Sequence, residues 1–302
     1  MSDKDQNPGY RTIEVDSEDF PELLQRIPDP PTLLYVLGNV EALHMPALSI
    51  VGSRNPTRGG RENAYEFARH LGRSGFCIVS GLAQGIDTAA HEGALDAGAM
   101  TVAFLGHGID RVYPEANRDL AQRISQNGVL VSEYPPGSPP RREHFPQRNR
   151  LISGLGLGTL VVEAARRSGS LITARLAGDQ GREVFSIPGS IHNPLSRGCH
   201  QLIKQGAKLV ESADDIVSEL GALAGHLMQN EAVSKKGSSE TIQHDADYEI
   251  LLNSLSFDPA TADELAENSG LTIDQVSSML LILELEGEIE AQTGGRYSRL
   301  HK

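Results

Sequence analysis

Eight short apolar runs, separated by amphipathic stretches, constrain residues 33–220 more than any other feature of this chain. They are LLYVL (33–37), ALSIVG (47–52), FCIVSG (76–81), MTVAFLG (100–106), GVLVSEY (128–134), GTLVVEA (158–164), EVFSIPG (183–189) and AKLVES (207–212). Each has the length of a strand and most close on Gly or Ser. Apolar runs without alternation indicate strands buried on both faces. The stretches between them, such as RENAYEFARHLGRSG and GIDTAAHEGALDAG, repeat apolar residues at helical spacing and stop at glycine. This alternation implies an α/β fold with a doubly wound, mostly parallel sheet and helices on both faces. Ligands of such sheets bind beyond the carboxyl ends of the strands, so strand-to-helix junctions are the places to search for chemistry.

The rest of the chain reads differently. Residues 1–20 are polar and predicted to be a flexible lead-in to a domain over 21–220. A polar, small-residue-rich stretch at 221–243 reads as a linker. Residues 244–302 form three helical patterns and then EIEAQTGGRYSRL, a hairpin about Gly294-Gly295, which together make a small winged-helix domain. Thr261 and Thr272 are its predicted helix N-caps. Those 59 residues carry 12 Asp/Glu against three Lys/Arg, more than half of the chain's net charge of −13. No stretch is long and apolar enough for a membrane span, and no secretory leader is visible. Cys77 and Cys199 are the only cysteines and stand far apart, which suggests a reducing cytoplasm and gives no disulfide framework or metal site.

Four junctions carry candidate chemistry. In SIVGSRNPTRGGRE (49–62), Gly52, Ser53 and Arg54 form a turn suited to an anion, with backbone N–H groups, a hydroxyl and a guanidinium before a helix. The dinucleotide and P-loop glycine patterns are absent. In SGLAQGIDTAAH (80–91), Gly81 and Gly85 flank a second junction that could face the same crevice. Asp87 reads there as a helix cap and His91 as a solvated helical residue rather than its acid–base partner. In PPRREHFPQRNRLISG (139–154), Arg141, Arg142, Arg148 and Arg150 surround Phe145 with only Glu143 opposing. Arginines hold phosphates and an open ring stacks on a base, as single-stranded nucleic acid requires. The alternative is that Phe145 plugs the core beneath solvated arginines. The fourth, GLGLGTLVVEAARRSGS, ends a strand at Glu163 and opens a helix at SGS (168–170), a third anion-competent turn. Glu163 is either a ribosyl-cation stabiliser or a strand-end charge paired with Arg166, Arg167 or Arg175.

VGSR (51–54), SGLAQGIDTAAH (80–91), LGHGIDRVYPEAN (105–117), SEYPPG (132–137), HFPQRNRLISGL (144–155), VVEAARRSGSLITA (161–174) and IPGSIHNPLSRGCHQLIKQGAKLV (187–210) closely resemble the DprA/Smf family of DNA-processing proteins of natural transformation. The resemblance is nearly continuous over residues 20–220 and extends to the C-terminal winged helix. It implies an extended Rossmann-like fold that binds single-stranded DNA without sequence preference, forms a homodimer and delivers the RecA recombinase to the strand. Single-strand-binding protein would be a further partner. Arg54, Phe145, Arg148, Asn149 and Arg150 would line the DNA groove, with Gly52, Ser53, Arg142 and Ser170 beside them. Ile203 and Leu209 would form the dimer interface. No catalytic residue, metal or cofactor is expected. The helical domain that precedes this region in many members has no room here, and Glu115 stands where some relatives carry a basic residue.

Two other functions compete. GLGLGT with Glu163 distantly resembles the PGGxGTxxE stretch of Rossmann-like phosphoribohydrolases, although the leading Pro-Gly is missing. A winged helix also suits a transcription regulator, but the recognition segment TIDQVSSMLLILE contains no Lys or Arg for duplex phosphates.

Overall fold

The computed structural model describes residues 9–220 and, towards the C-terminus, 251, 254–255, 260–273, 276, 279–280, 283, 289–292 and 296–299. The chain divides into two compact units, Met1–Lys235 and Lys236–Lys302. The predicted linker at 221–243 lies outside the described residues.

All eight apolar runs form strands of one sheet. They are β2 (Leu33–Gly38), β3 (Ala47–Val51), β4 (Cys77–Ser80), β5 (Thr101–Leu105), β6 (Val129–Ser132), β7 (Gly158–Val161), β8 (Glu183–Ser186) and β9 (Lys208–Leu209). A ninth strand, β1 (Arg11–Glu14), corrects the expectation of a loose segment over 1–20: it pairs antiparallel with β2, Ile13 opposite Leu34. Only Ile13 of β1 is buried, so the run lacks the apolar density that marks the other strands. The sheet order is β1-β2-β6-β5-β4-β3-β7-β8-β9. From β6 to β9 the pairs are parallel, whereas β2 runs antiparallel to β6.

Side chains alternate between two cores, as strand geometry requires. From β5, Val102 and Phe104 face the core that holds Leu151, Ile152 and Leu155 of α5 (His144–Leu155). Ala103 and Leu105 face Leu120 and Ile124 of α4 (Arg118–Asn127). Beside them, Leu48, Ile50 and Ile78 pack under α2 (Arg58–Arg73) and α3 (Ile86–Asp96). With a short α1 (Glu22–Gln25), α6 (Ser170–Asp179) and α7 (Arg197–Lys204), helices cover both faces. Cys77 and Cys199 are buried free thiols, and burial pushes Cys77 up to about 12.

In the C-terminal unit, α8 (Ala262–Ser269) opens on a complete capping box: Thr261 Oγ1 accepts from Glu264 N–H, and Glu264 accepts from Thr261 N–H. The N-cap expectation thus holds at Thr261. At Thr272, the residue three positions on lies outside the described residues. Strands β10 (Ala260–Thr261), β11 (Ile289–Gln292) and β12 (Arg296–Arg299) form the wing, with β11 and β12 antiparallel. Gly294-Gly295 falls between them, outside the described residues. Leu251, Leu265, Val276, Leu280, Leu283 and Ile289 make this unit's core. Among the described residues no helix is long and apolar enough to cross a membrane.

Candidate nucleic-acid interface

Strand order rises from β3 through β4 and β5 to β6 on one side and from β7 to β9 on the other. The connections therefore diverge between β3 and β7 and leave a crevice over their carboxyl ends. A cleft of about 690 Å³ opens there. One wall is the turn Gly52–Arg54 after β3, and the opposite wall is the segment from Arg167 to Ser170 that starts α6. Phe145 and Asn149 of α5 line the cleft as well, and Ala83 with the buried Asp87 and Arg148 closes the floor.

The two glycine-rich junctions face each other, as the sequence suggested. Ile86 N–H at the start of α3 donates to Ser53 O at 3.1 Å. Gly85 has φ +85°, and a Cβ there would sit 2.4 Å from Ser53 O, so no other residue allows this approach. Ser53 Oγ accepts from Asn55 N–H, which holds the turn and leaves its hydroxyl proton to donate. Across the cleft the Ser168 and Ser170 hydroxyls lie 2.7 Å apart at the N-terminus of α6. Four cleft residues are arginines, Arg54, Arg142, Arg148 and Arg167, against Asp87 as the sole acid, so the cleft is basic within an acidic chain.

The arginines differ in kind. Arg54, Arg142 and Arg167 are exposed. The Arg54 guanidinium stands 5.6 Å from the centre of the Phe145 ring, close enough for a cation–π contact. Phe145 is half-buried and lines the cleft, so it does not plug the core. Arg148 is only 3% exposed. Its Nη1 donates to Gly81 O at 2.8 Å and to Phe104 O. Burial pulls Arg148 down to about 10, so it stays charged at neutral pH and acts from beneath the cleft. Asp87 accepts from Gly81 N–H and Ala83 N–H, and burial raises its pKa against the pull of Arg148.

Arg150 corrects the expected groove lining. It forms a two-point ion pair with Glu133, Nη1 to Oε1 at 3.0 Å and Nη2 to Oε2 at 2.6 Å, and its Nε donates to Asp29 O. It is not among the cleft residues. Positions two apart on a helix point about 200° apart, so Arg148 and Arg150 cannot share one face. His91 is a second correction. It is wholly buried rather than solvated, with Nδ1 against Thr101 Oγ1 at 2.7 Å. Thr101 already donates to Ile78 O, so His91 is the donor of that pair.

Glu163 meets neither expectation. Thr57 N–H donates to Oε2 at 2.8 Å and Thr57 Oγ1 to Oε1 at 2.7 Å, so the carboxylate closes the N-terminus of α2. A Cβ on Gly60 would fall 2.4 Å from its Cδ, which is why that helical position is glycine. The anion-competent turn read at 168–170 does line the cleft, with Ser168 beside Ser170, whereas the sequence reading does not assign Tyr113 and Arg167 to it. The RRSGS run at Arg166–Ser170 is a usable signal for Arg167; Tyr113 lies in the LGHGIDRVYPEAN motif, which does not say what the ring faces.

Comparison with known proteins agrees with this architecture. The family description DNA recombination-mediator protein A matches residues 11–221, and the DprA winged helix domain matches 236–295. The chain is 41% identical over 298 residues to Protein Smf of Escherichia coli, covering 98% of this chain and 79% of that protein. It is 48% identical over 200 residues to the DNA processing protein DprA of Streptococcus pneumoniae, covering 66% of this chain and 71% of that one. The solved structure of the S. pneumoniae protein superposes with a TM-score of 0.68 at 45% identity, over 70% of this chain and 74% of that chain. DprA from Helicobacter pylori, whose structure is described for its single-stranded DNA binding mode, gives 0.64 at 32% identity, over 70% and 95%. The family match over residues 11–221, the winged-helix match over 236–295 and the 41% identity to Protein Smf along nearly the whole chain show that this chain belongs to the DprA/Smf family of DNA recombination-mediator proteins.

Proposed function

We propose that the cleft binds single-stranded DNA without base preference and that the protein hands the strand to the RecA recombinase in DNA uptake and homologous recombination. One observation carries the binding: exposed arginines and a half-open phenylalanine ring share a basic cleft at the switch point of the sheet. Phosphates meet Arg54, Arg142 and Arg167, while the ring of Phe145 takes a base. Arg148 supplies charge from the floor, and Gly52, Ser53, Asn149 and Ser170 line the path. The structural relative described for single-stranded DNA binding supports the same reading. RecA, single-strand-binding protein as a further partner, and a cytoplasmic setting are part of the same proposal, which family membership supports. Turnover is not part of the reading, since both Glu163 oxygens are engaged at α2.

The test is a mobility shift with single-stranded and duplex oligonucleotides over a salt series. Single strands are expected to bind more tightly, with affinity falling steeply as salt rises. Arg54→Ala should weaken binding and shallow the logarithmic slope by about 0.7 for each phosphate that the arginine neutralises. Duplex preference, or affinity indifferent to salt, refutes the proposal.

The proposal includes a homodimer. Leu209 is 45% exposed on β9, the two-residue edge of the sheet, and Ile203 is half-buried on α7, whereas Leu202 and Val210 lie in the core. An open edge with apolar residues invites a symmetric partner. Ile203→Glu with Leu209→Glu should give a monomer by light scattering with circular dichroism unchanged. A variant that remains dimeric moves the interface elsewhere, and one that unfolds assigns both residues to the core.

A further inference from the structure

Beside the main cleft lies a recess of about 60 Å³ bounded by Gln84 and Pro114. Arg54, Ala83, Tyr113 and Phe145 line both spaces, so the two adjoin. Tyr113 is 49% exposed, one of few large side chains with an apolar body left open among the described residues. Its ring centre lies 5.9 Å from that of Phe145, the planes tilted by 45°. The two rings come from different parts of the chain: Phe145 from the first turn of α5, Tyr113 from the loop before α4. A half-open tyrosine beside a second ring, in a basic cleft, has the properties of a stacking platform: a broad apolar face, few torsions to freeze and a charged flank to hold the backbone. Gln84 is exposed at the mouth of the recess, and its amide offers donors and an acceptor to a base edge.

We propose that Tyr113 and the recess beside it form a second nucleobase subsite, in which one base stacks on Tyr113 while its neighbour stacks on Phe145. This rests on the reading of the cleft as a single-strand site and adds to it the place where a further base lies. Two adjoining rings would hold successive bases splayed, which a paired and stacked duplex does not offer. Stacking on a ring accepts any base, so the subsite raises affinity without creating sequence specificity. Its recess is too small to enclose a nucleotide, so the sugar and phosphate remain outside, on the Arg54 side.

Fluorescence anisotropy on two strands of equal length tests this, one of thymidines and one of abasic residues. The wild-type protein should bind the thymidine strand more tightly. Tyr113→Ala should lose roughly 5- to 150-fold on that strand, the range expected for removing one stacking ring. The loss on the abasic strand should be small and the salt slope unchanged. Tyr113→Phe should behave as the wild type. Equal losses on both strands would mean that Tyr113 only supports phosphate binding, and no loss on either would mean that it touches no base; each outcome overturns the subsite and leaves the cleft reading standing. If the wild-type protein binds neither strand, the cleft reading itself fails and the subsite with it.

Discussion

Arg148→Met is expected to lower folding stability by about 3–5 kcal/mol, the range for removing one partner from a buried charge cluster. The guanidinium donates to Gly81 O and Phe104 O and offsets the buried Asp87 carboxylate. Methionine fills much of the same volume but leaves two carbonyls without this donor and the buried Asp87 carboxylate without its compensating charge. The turn they hold is itself strained: Leu82 is a non-glycine residue at φ +57°. Asp87 grips both sides of it through Gly81 N–H and Ala83 N–H, and Asn117 Nδ2 donates to Leu82 O at 2.9 Å. This clamp shapes the cleft floor, so DNA binding should fall together with stability, although Arg148 is scarcely exposed. Urea denaturation with an unchanged m-value is the measurement. A loss below about 1 kcal/mol would show that water replaces the guanidinium without penalty.

His91 should make the protein labile to mild acid. Burial lowers its pKa to about 3 in the folded chain, while in the unfolded chain it titrates near 6.5. The unfolded state therefore binds more protons between those values, and stability rises with pH across that window. It is fully present above about pH 6.5 and is lost as pH falls, at about 1.4 kcal/mol for each unit. From pH 6.5 to 4.5 the wild-type protein should thus lose about 2 kcal/mol through this one residue. Carboxylates also titrate towards the acid end, so the comparison is with His91→Gln, whose stability should fall less over the same range. The group has no internal way to accept a charge: Nδ1 is occupied by Thr101, and Nε2 is buried without a partner. Parallel pH profiles for the two proteins would contradict the prediction.

The residues that behave as their local pattern suggests share one property: their role is written in their own segment. The eight apolar runs become strands because continuous apolar sequence has no other stable place in a chain of this composition. Gly52–Arg54 becomes an anion-competent turn because a buried strand must leave the sheet there before α2 begins. Thr261 with Glu264 forms a capping box because both partners lie within one helical turn. The winged-helix pattern is legible for the same reason.

Elsewhere the outcome depends on what the fold puts opposite each residue. Arg148 and Arg150 look alike in the sequence, yet one lies under the cleft and the other pairs with Glu133, because the helix turns between them. Glu163 stands near arginines in the sequence, but the parallel pairing of β7 with β3 presents it to Thr57, more than a hundred residues away. His91 sits on a helix that looks half-polar, and only the packing of α3 over β4 and β5 buries it. Tyr113 lies in a family motif, but nothing in that motif tells which ring it meets until the loop before α4 sets it beside Phe145. The sequence alone determined the fold class, eight of the nine strands of the main sheet, the basic character of the 141–150 segment and the family. Tertiary structure alone decided which arginines reach the cleft, which acid caps a helix and which rings meet. Periodicity reports whether a side chain faces inward, whereas charges and rings act on partners that only strand order and helix rotation can supply.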